Sequence, residues 1–188
     1  MSGLLTTGQM LGLIAVAVVG FWIVGAYNRL VRLRTSIHEA FAAVDVQIRQ
    51  RDGLLSSWTT ALRTVFDDSA QVDTVEAAAA RLLQAAELAR QRPSAAPPVA
   101  DLGLAEAALG TARGQLAATL PAHASQPTLS ETAGDLSGLG DRILAVDSTL
   151  AFARQQFNAA VEVYNAALVQ FPTKLLAGLF GFQAAGTF

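Results

Sequence analysis

Cysteine is absent from this chain, which excludes disulfides, thiolate catalysis and Cys-based zinc sites. Histidine is nearly absent: His38 and His123 are the only two. Neither sits in an HExxH or a carboxylate-x-x-His pattern, so metal ligation is not expected. Asp67, Asp68, Asp73 and Glu76 form an acidic group that would suit a divalent ion. Acidic residues at a helix start ordinarily serve the helix dipole and cap instead. There is no GxxxxGK[ST] loop, no GxGxxG after a strand and no GxSxG elbow. With no acid–base or metal constellation, the expectation is a non-enzymatic protein without a cofactor. Net charge is only −2, too balanced for a nucleic-acid binder. Charge of either sign is missing from the whole N-terminal stretch, where the first charged side chain is Arg29.

That uncharged stretch is the most informative part of the chain. Met10 to Ala26 reads MLGLIAVAVVGFWIVGA, and the apolar run extends back through Leu4 and Leu5. A bilayer core needs about 20 mostly apolar helical residues, and this segment supplies them. The competing reading is a cleaved signal peptide, since Val24-Gly25-Ala26 has small-residue cleavage character. A signal peptide wants a positive region before its apolar core, and none precedes it here, so a retained anchor is the preferred reading. Arg29, Arg32 and Arg34 follow the run at once, with Arg49 and Arg51 beyond. The positive-inside rule places that side in the cytoplasm. The expected organisation is a transmembrane anchor over residues 1–28, a cytoplasmic helical bundle over 29–172 and an apolar, membrane-proximal tail over 173–188.

After the anchor the apolar period changes. Leu30, Ile37, Val44, Trp58 and Val65 recur at multiples of seven, with Arg51 interrupting the series. Phe41, Ile48, Leu55 and Leu62 form a second such series. Together they draw one apolar stripe on a long helix, continuous with the anchor and reaching about Asp68. From Tyr27 it would rise roughly 60 Å. Gly53, beside the Arg51 defect, is its expected weak point, and Asp67, Asp68 and Ser69 supply turn and cap chemistry. A second helix carries Val72, Val75, Ala79, Leu82 and Ala86 on one face and ends before Pro93-Ser-Ala-Ala-Pro-Pro. Asp101 can cap a third helix that stops at Pro121. Gly103, Gly110 and Gly114 weaken it by roughly 1 kcal/mol each relative to Ala.

The last helix holds the strongest pattern. Leu136, Ile143, Leu150, Phe157, Tyr164 and Phe171 recur every seven residues, with Leu139, Val146, Ala153, Ala160 and Ala167 as companions. A run of this length argues for coiled-coil-like packing. The fold class is therefore all-α: a transmembrane helix continuing into an elongated up-down bundle of two long and two short helices, with an apolar C-terminal tail. Parity returns the last helix to the bilayer. Leu175, Leu176, Leu179, Phe180 and Phe182 would then sit at the membrane interface with Arg29, Arg32 and Arg34. The alternative is that the tail folds against the bundle or a neighbouring subunit.

Polar residues beside the stripe form a second candidate group. Asn158 and Asn165 are seven apart, each following a stripe aromatic, and Arg154 lies one turn before Asn158. Tyr27-Asn28 echoes Tyr164-Asn165, and parity brings both pairs to the membrane end. They read either as a hydrogen-bonded cluster or partner surface, or as buried asparagines that set helix register. The register role is preferred.

Tyr27-Asn28-Arg29-Leu30-Val31, followed by Ala40-Phe41-Ala42-Ala43-Val44-Asp45-Val46-Gln47-Ile48, resembles the start of the LemA family. There a YNxLV element follows the anchor and an AWxxIDVQL-like element follows that. The end is more similar still: Ala151-Phe152-Ala153-Arg154-Gln155-Gln156-Phe157-Asn158, then Tyr164-Asn165, Phe171-Pro172 and Ala177-Gly178-Leu179-Phe180-Gly181-Phe182. One departure stands out. Arg51-Asp52-Gly53-Leu54-Leu55-Ser56-Ser57-Trp58 lacks the Pro-Asn of the family's RYDLIPNL-like stretch. The resemblance implies a bacterial single-pass protein with a cytoplasmic helical bundle, and it carries no catalytic residue. It also implies relatives among magnetosome-membrane factors and gene neighbourhoods with a heat-shock membrane metalloprotease.

The expected function is a homo-oligomeric scaffold that organises or remodels the bacterial inner membrane, with the lipid bilayer as partner. The alternative is a regulatory adaptor for a membrane protease or envelope-stress system, which rests on the gene neighbourhoods alone.

Overall fold

The computed structural model describes residues 7–64, 70–123, 127–170 and 173–188. Side chains are described for 8–64, 70–120, 134–170, 173–174 and 177–188. All regular structure among the described residues is helical: α1 (Thr7–Arg63), α2 (Ala70–Gln91), α3 (Ala96–His123), α4 (Pro127–Val169) and α5 (Thr173–Phe180).

α1 is one helix of 57 residues, about 85 Å long at 1.5 Å per residue. It contains no proline and passes Gly53 unbroken, so the expected weak point is no interruption. Its apolar first part is long enough to cross a membrane, and the most apolar window is wholly unburied by the rest of the protein. Burial begins at Leu30, one residue past the first charge. The same helix thus serves as the apolar span and as the first wall of the bundle.

The two interleaved heptad series of α1 are buried as expected. Leu30, Ile37, Phe41, Val44, Ile48, Leu55 and Leu62 all face the core, with Trp58 half-buried. α4 runs antiparallel along this stripe. The Arg29 Nη1 donates to Gln170 Oε1 at 3.3 Å at one end, and the Phe41 and Phe157 rings meet edge to face at 5.7 Å in the middle. Leu136, Ile143, Leu150, Phe157 and Tyr164 of α4 are buried, with Val146, Ala153, Val161 and Ala167. Phe171, Val65 and the expected cap at Asp67–Ser69 lie outside the described residues.

α1 ends at Arg63 rather than near Asp68. The Arg63 guanidinium reaches Asp73 and Glu76 of α2, the latter at 2.7 Å, and ties the corner. α2 and α3 form a hairpin that packs on α1. Its turn is closed by Arg92 N–H to Ala89 O at 3.1 Å and Ala95 N–H to Arg92 O at 2.9 Å. α3 starts at Ala96, ahead of the expected cap at Asp101, because proline is tolerated in a first helical turn and Pro97 and Pro98 occupy that turn. It also runs past Pro121 to His123. A proline this close to a helix end removes one bond of the last turn and leaves the rest intact.

Candidate functional site

The C-terminal residues build the most elaborate polar site among the described residues, and they build it by turning back. α5 ends in a Schellman motif: Phe182 N–H donates to Ala177 O at 2.9 Å, with Gly181 at φ 69°. That left-handed position is one a side chain with Cβ occupies only at a cost, so glycine sets the reversal. From there residues 182–188 run as an extended strap along α4, towards its N-terminal end, on the side facing α3.

Two asparagines hold the strap. Asn165 Nδ2 donates to Ala185 O, and Ala185 N–H donates back to Asn165 Oδ1, both at 2.9 Å. Asn158 repeats the arrangement on Phe188, with its Nδ2 to Phe188 O at 2.8 Å and Phe188 N–H to its Oδ1 at 3.2 Å. The spacing has a geometric reason. Seven helical residues rise about 10.5 Å, and three extended residues span about 10 Å. Asparagines one heptad apart are therefore in register with every third residue of an extended chain. The asparagines were expected to fix helix register; each instead uses its amide on the backbone of the strap.

The remaining contacts fix the ends. Tyr164 Oη donates to Gln183 O at 3.1 Å, and burial pushes its hydroxyl above the usual tyrosine pKa, keeping it a neutral donor. Arg154 donates from Nε to Phe188 O, and its guanidinium lies 5.1 Å from the centre of the Phe188 ring. That ring also leans on Phe157 at 5.5 Å. From the other side, a Cβ at Gly103 on α3 would stand only 3.2 Å from Phe188 Cβ, and Gly186 sits against the Ala96 backbone so closely that a Cβ would approach Ala96 Cα to 2.8 Å. The strap fills the seam between α3 and α4.

This placement divides the tail between the two expected positions, the membrane interface and the bundle. Leu179 and Phe180 stay largely in the open, at 78 % and 49 % exposure. Phe182 does not stand free: it is half-buried, and its ring meets Tyr27 at 5.8 Å. Ala185 is buried and Phe188 packs against the core. The side chains of Leu175 and Leu176 lie outside the described residues. Tyr27 also meets Phe180, at 5.2 Å, so both Tyr-Asn elements border the tail as parity requires, while Asn28 stays exposed. A groove of about 610 Å³ opens here, lined by Tyr27, Val31, Arg34, Thr35, His38 and residues 180–182. Arg29 and Arg32 are exposed nearby, and Arg34 donates from Nε to Ser94 Oγ at 3.1 Å. His38 is exposed on the groove wall, and partial desolvation there, then the charge of Arg34, hold it below the usual histidine pKa.

A second polar site lies deeper, at the heptad position where Arg51 interrupts the apolar stripe of α1. Arg51 occupies a seam position of α1 and is 2 % exposed. Its Nη1 donates to Glu106 Oε1 of α3 at 2.6 Å and to Asp147 Oδ1 of α4 at 3.0 Å, while Nη2 takes the other Glu106 oxygen. Arg113 joins from α3, 2.9 Å from Asp147 Oδ2. Burial alone would lower the Arg51 pKa; the hydrogen bonds and charges of Glu106 and Asp147 outweigh it and raise it. The available signal was a charge at a heptad position, which demands a partner. No three His, Asp or Glu side chains gather as metal ligands among the described residues.

An all-α bundle, raised on a helix of membrane-crossing length and closed by its own C-terminal strap, is the class of protein these features define. The chain belongs to the LemA family, whose sequence profile matches residues 40–188. The matched part opens inside α1 and takes in the rest of the bundle, α5 and the strap. No curated protein matches the chain.

Proposed function

We propose that this LemA-family protein is a non-enzymatic scaffold, anchored in the bacterial inner membrane by the first part of α1, that self-associates and organises that membrane from the cytoplasmic side. The observation that carries the reading is the position of Leu179 and Phe180. Phe180 lies against Tyr27, where the apolar part of α1 meets the bundle, Leu179 precedes it in α5, and both are exposed. Apolar side chains grouped at that level suit lipid or a neighbouring subunit better than water. The basic residues Arg29, Arg32 and Arg34 support the cytoplasmic orientation.

Native mass measurement of the full chain, extracted in mild detergents and in nanodiscs, tests the proposal. A homo-oligomeric particle is expected. A strict monomer under all these conditions would overturn the scaffold and favour an adaptor that works through another protein, such as a membrane protease.

A further inference from the structure

We infer that the α3–α4 seam is a docking groove for an extended peptide, and that copies of this protein exchange their 182–188 segments through it. The inference rests on the self-association proposed above. The groove recognises mainly backbone. Asn158 and Asn165 each pair with both the N–H and the carbonyl of one residue, and Tyr164 takes a third carbonyl. Side-chain selection is confined to two points. Gly186 is required because the Ala96 backbone leaves no room for a Cβ, and position 188 takes an aromatic ring between Phe157 and the Arg154 guanidinium. An extended segment of the form small-Gly-x-aromatic satisfies the site.

The strap in the groove is such a segment, and every copy carries it. A strap from a second copy makes the same contacts as the chain's own. The two arrangements then differ only in the path of the connection and in the entropy of bringing two copies together. Confinement of anchored copies to one membrane raises their effective concentration and reduces that entropy difference. The connection has a suitable pivot at Gly181, whose left-handed conformation reverses the chain between α5 and the strap. The four asparagine hydrogen bonds act on docking in either arrangement, and losing them is expected to weaken it about a hundredfold.

The chain has no cysteine, so single labels are unambiguous. Full-length copies spin-labelled at Ala184→Cys, on the strap, are mixed with full-length copies labelled at Val163→Cys, an exposed site on α4. The mixture is co-reconstituted in nanodiscs for electron–electron distance measurement. Exchange predicts a short distance between the two kinds of copy. That distance is lost when Asn158→Ala and Asn165→Ala are present together. It is also lost with Gly186→Val, which blocks docking without touching α4. Doubly labelled copies diluted in unlabelled protein should lose their short distance in step. Retention of the full short distance on dilution, with none between singly labelled copies, would overturn exchange. So would a cross-copy distance that survives both variants. Native mass on the same samples separates the two proposals: an oligomer whose straps stay at home overturns exchange alone, and a monomer overturns both.

Discussion

Arg51 and Glu106, on α1 and α3, meet fork to fork: both guanidinium Nη atoms face both carboxylate oxygens, and the arginine is sealed from solvent. Asp147 takes the same arginine from α4, so one buried cation joins three helices. The pair makes an asymmetric prediction. Glu106→Ala leaves Arg51 buried with Asp147 alone, a carboxylate that Arg113 already shares. Removing one partner of a buried pair costs about 3–5 kcal/mol, and the remaining aspartate places this case near the low end. Arg51→Met removes the buried charge itself, and Glu106, partly exposed, can be rehydrated, so the loss should be smaller. Thermal unfolding in mild detergent should rank the wild type and Arg51→Met above Glu106→Ala. The reverse order would mean that Arg51 does not depend on Glu106.

Phe157 is the aromatic centre of the seam, fully buried between Phe41 and the strap's Phe188. Phe157→Ala removes a core ring and should destabilise by about 3–5 kcal/mol. A large fall in melting temperature is the expected outcome. A change within error would show that the α1–α4 seam does not rely on that ring.

His38 gives a pH dependence. Its pKa is lowered in the folded state, first by partial desolvation at the groove wall and then by Arg34. The unfolded chain therefore binds more protons between the lowered value and the ordinary histidine value of about 6.5, and stability rises with pH across that window. The contribution is complete above the unfolded pKa and is lost as pH falls below it, levelling once the folded form also protonates. His38→Gln should flatten this part of the profile. Melting temperatures of both proteins at pH 7 and pH 5.5 check it. Equal slopes would remove His38 as the cause.

What sequence alone reveals follows from what periodicity measures. Heptad spacing marked the buried face of α1 from Leu30 to Leu62 and of α4 from Leu136 to Ala167, because each helix carries its own record of where it is apolar. Periodicity holds no record of partners. Arg51 looked like a break in a stripe because Glu106 and Asp147 lie on other helices, far along the chain. The asparagines at 158 and 165 were recognised as a pair, but their heptad spacing fits two structures: a neighbouring helix, or an extended strand in register at every third residue. Only the reversal at Gly181 selects the second. The same reversal explains why Phe182, apolar and two residues from Phe180, faces the bundle although the sequence groups it with Leu179 and Phe180. The boundaries of α3 differ from the expected ones because its prolines occupy terminal turns, where a proline does not break the helix.

The exposed ridge of α5 allows a direct test of assembly. Phe182 packs on Tyr27 and the core, so replacing it would disturb the fold as well as the surface. Leu179 and Phe180 offer a cleaner pair of sites, since Leu179 is open and Phe180 is half exposed against Tyr27. Burying a large apolar side chain is worth about 1.5–3 kcal/mol. Leu179→Ser with Phe180→Ser should then remove several kcal/mol from contacts with lipid or with a neighbouring subunit. The buried seam between α1 and α4 is untouched, so helical content and the main unfolding transition should stay close to wild type. The particle mass in nanodiscs should fall, or its dissociation on dilution should begin at a higher protein concentration. An unchanged particle of unchanged stability would show that α5 takes no part in assembly, and would move the search for the interface to the exposed faces of α1 and α4.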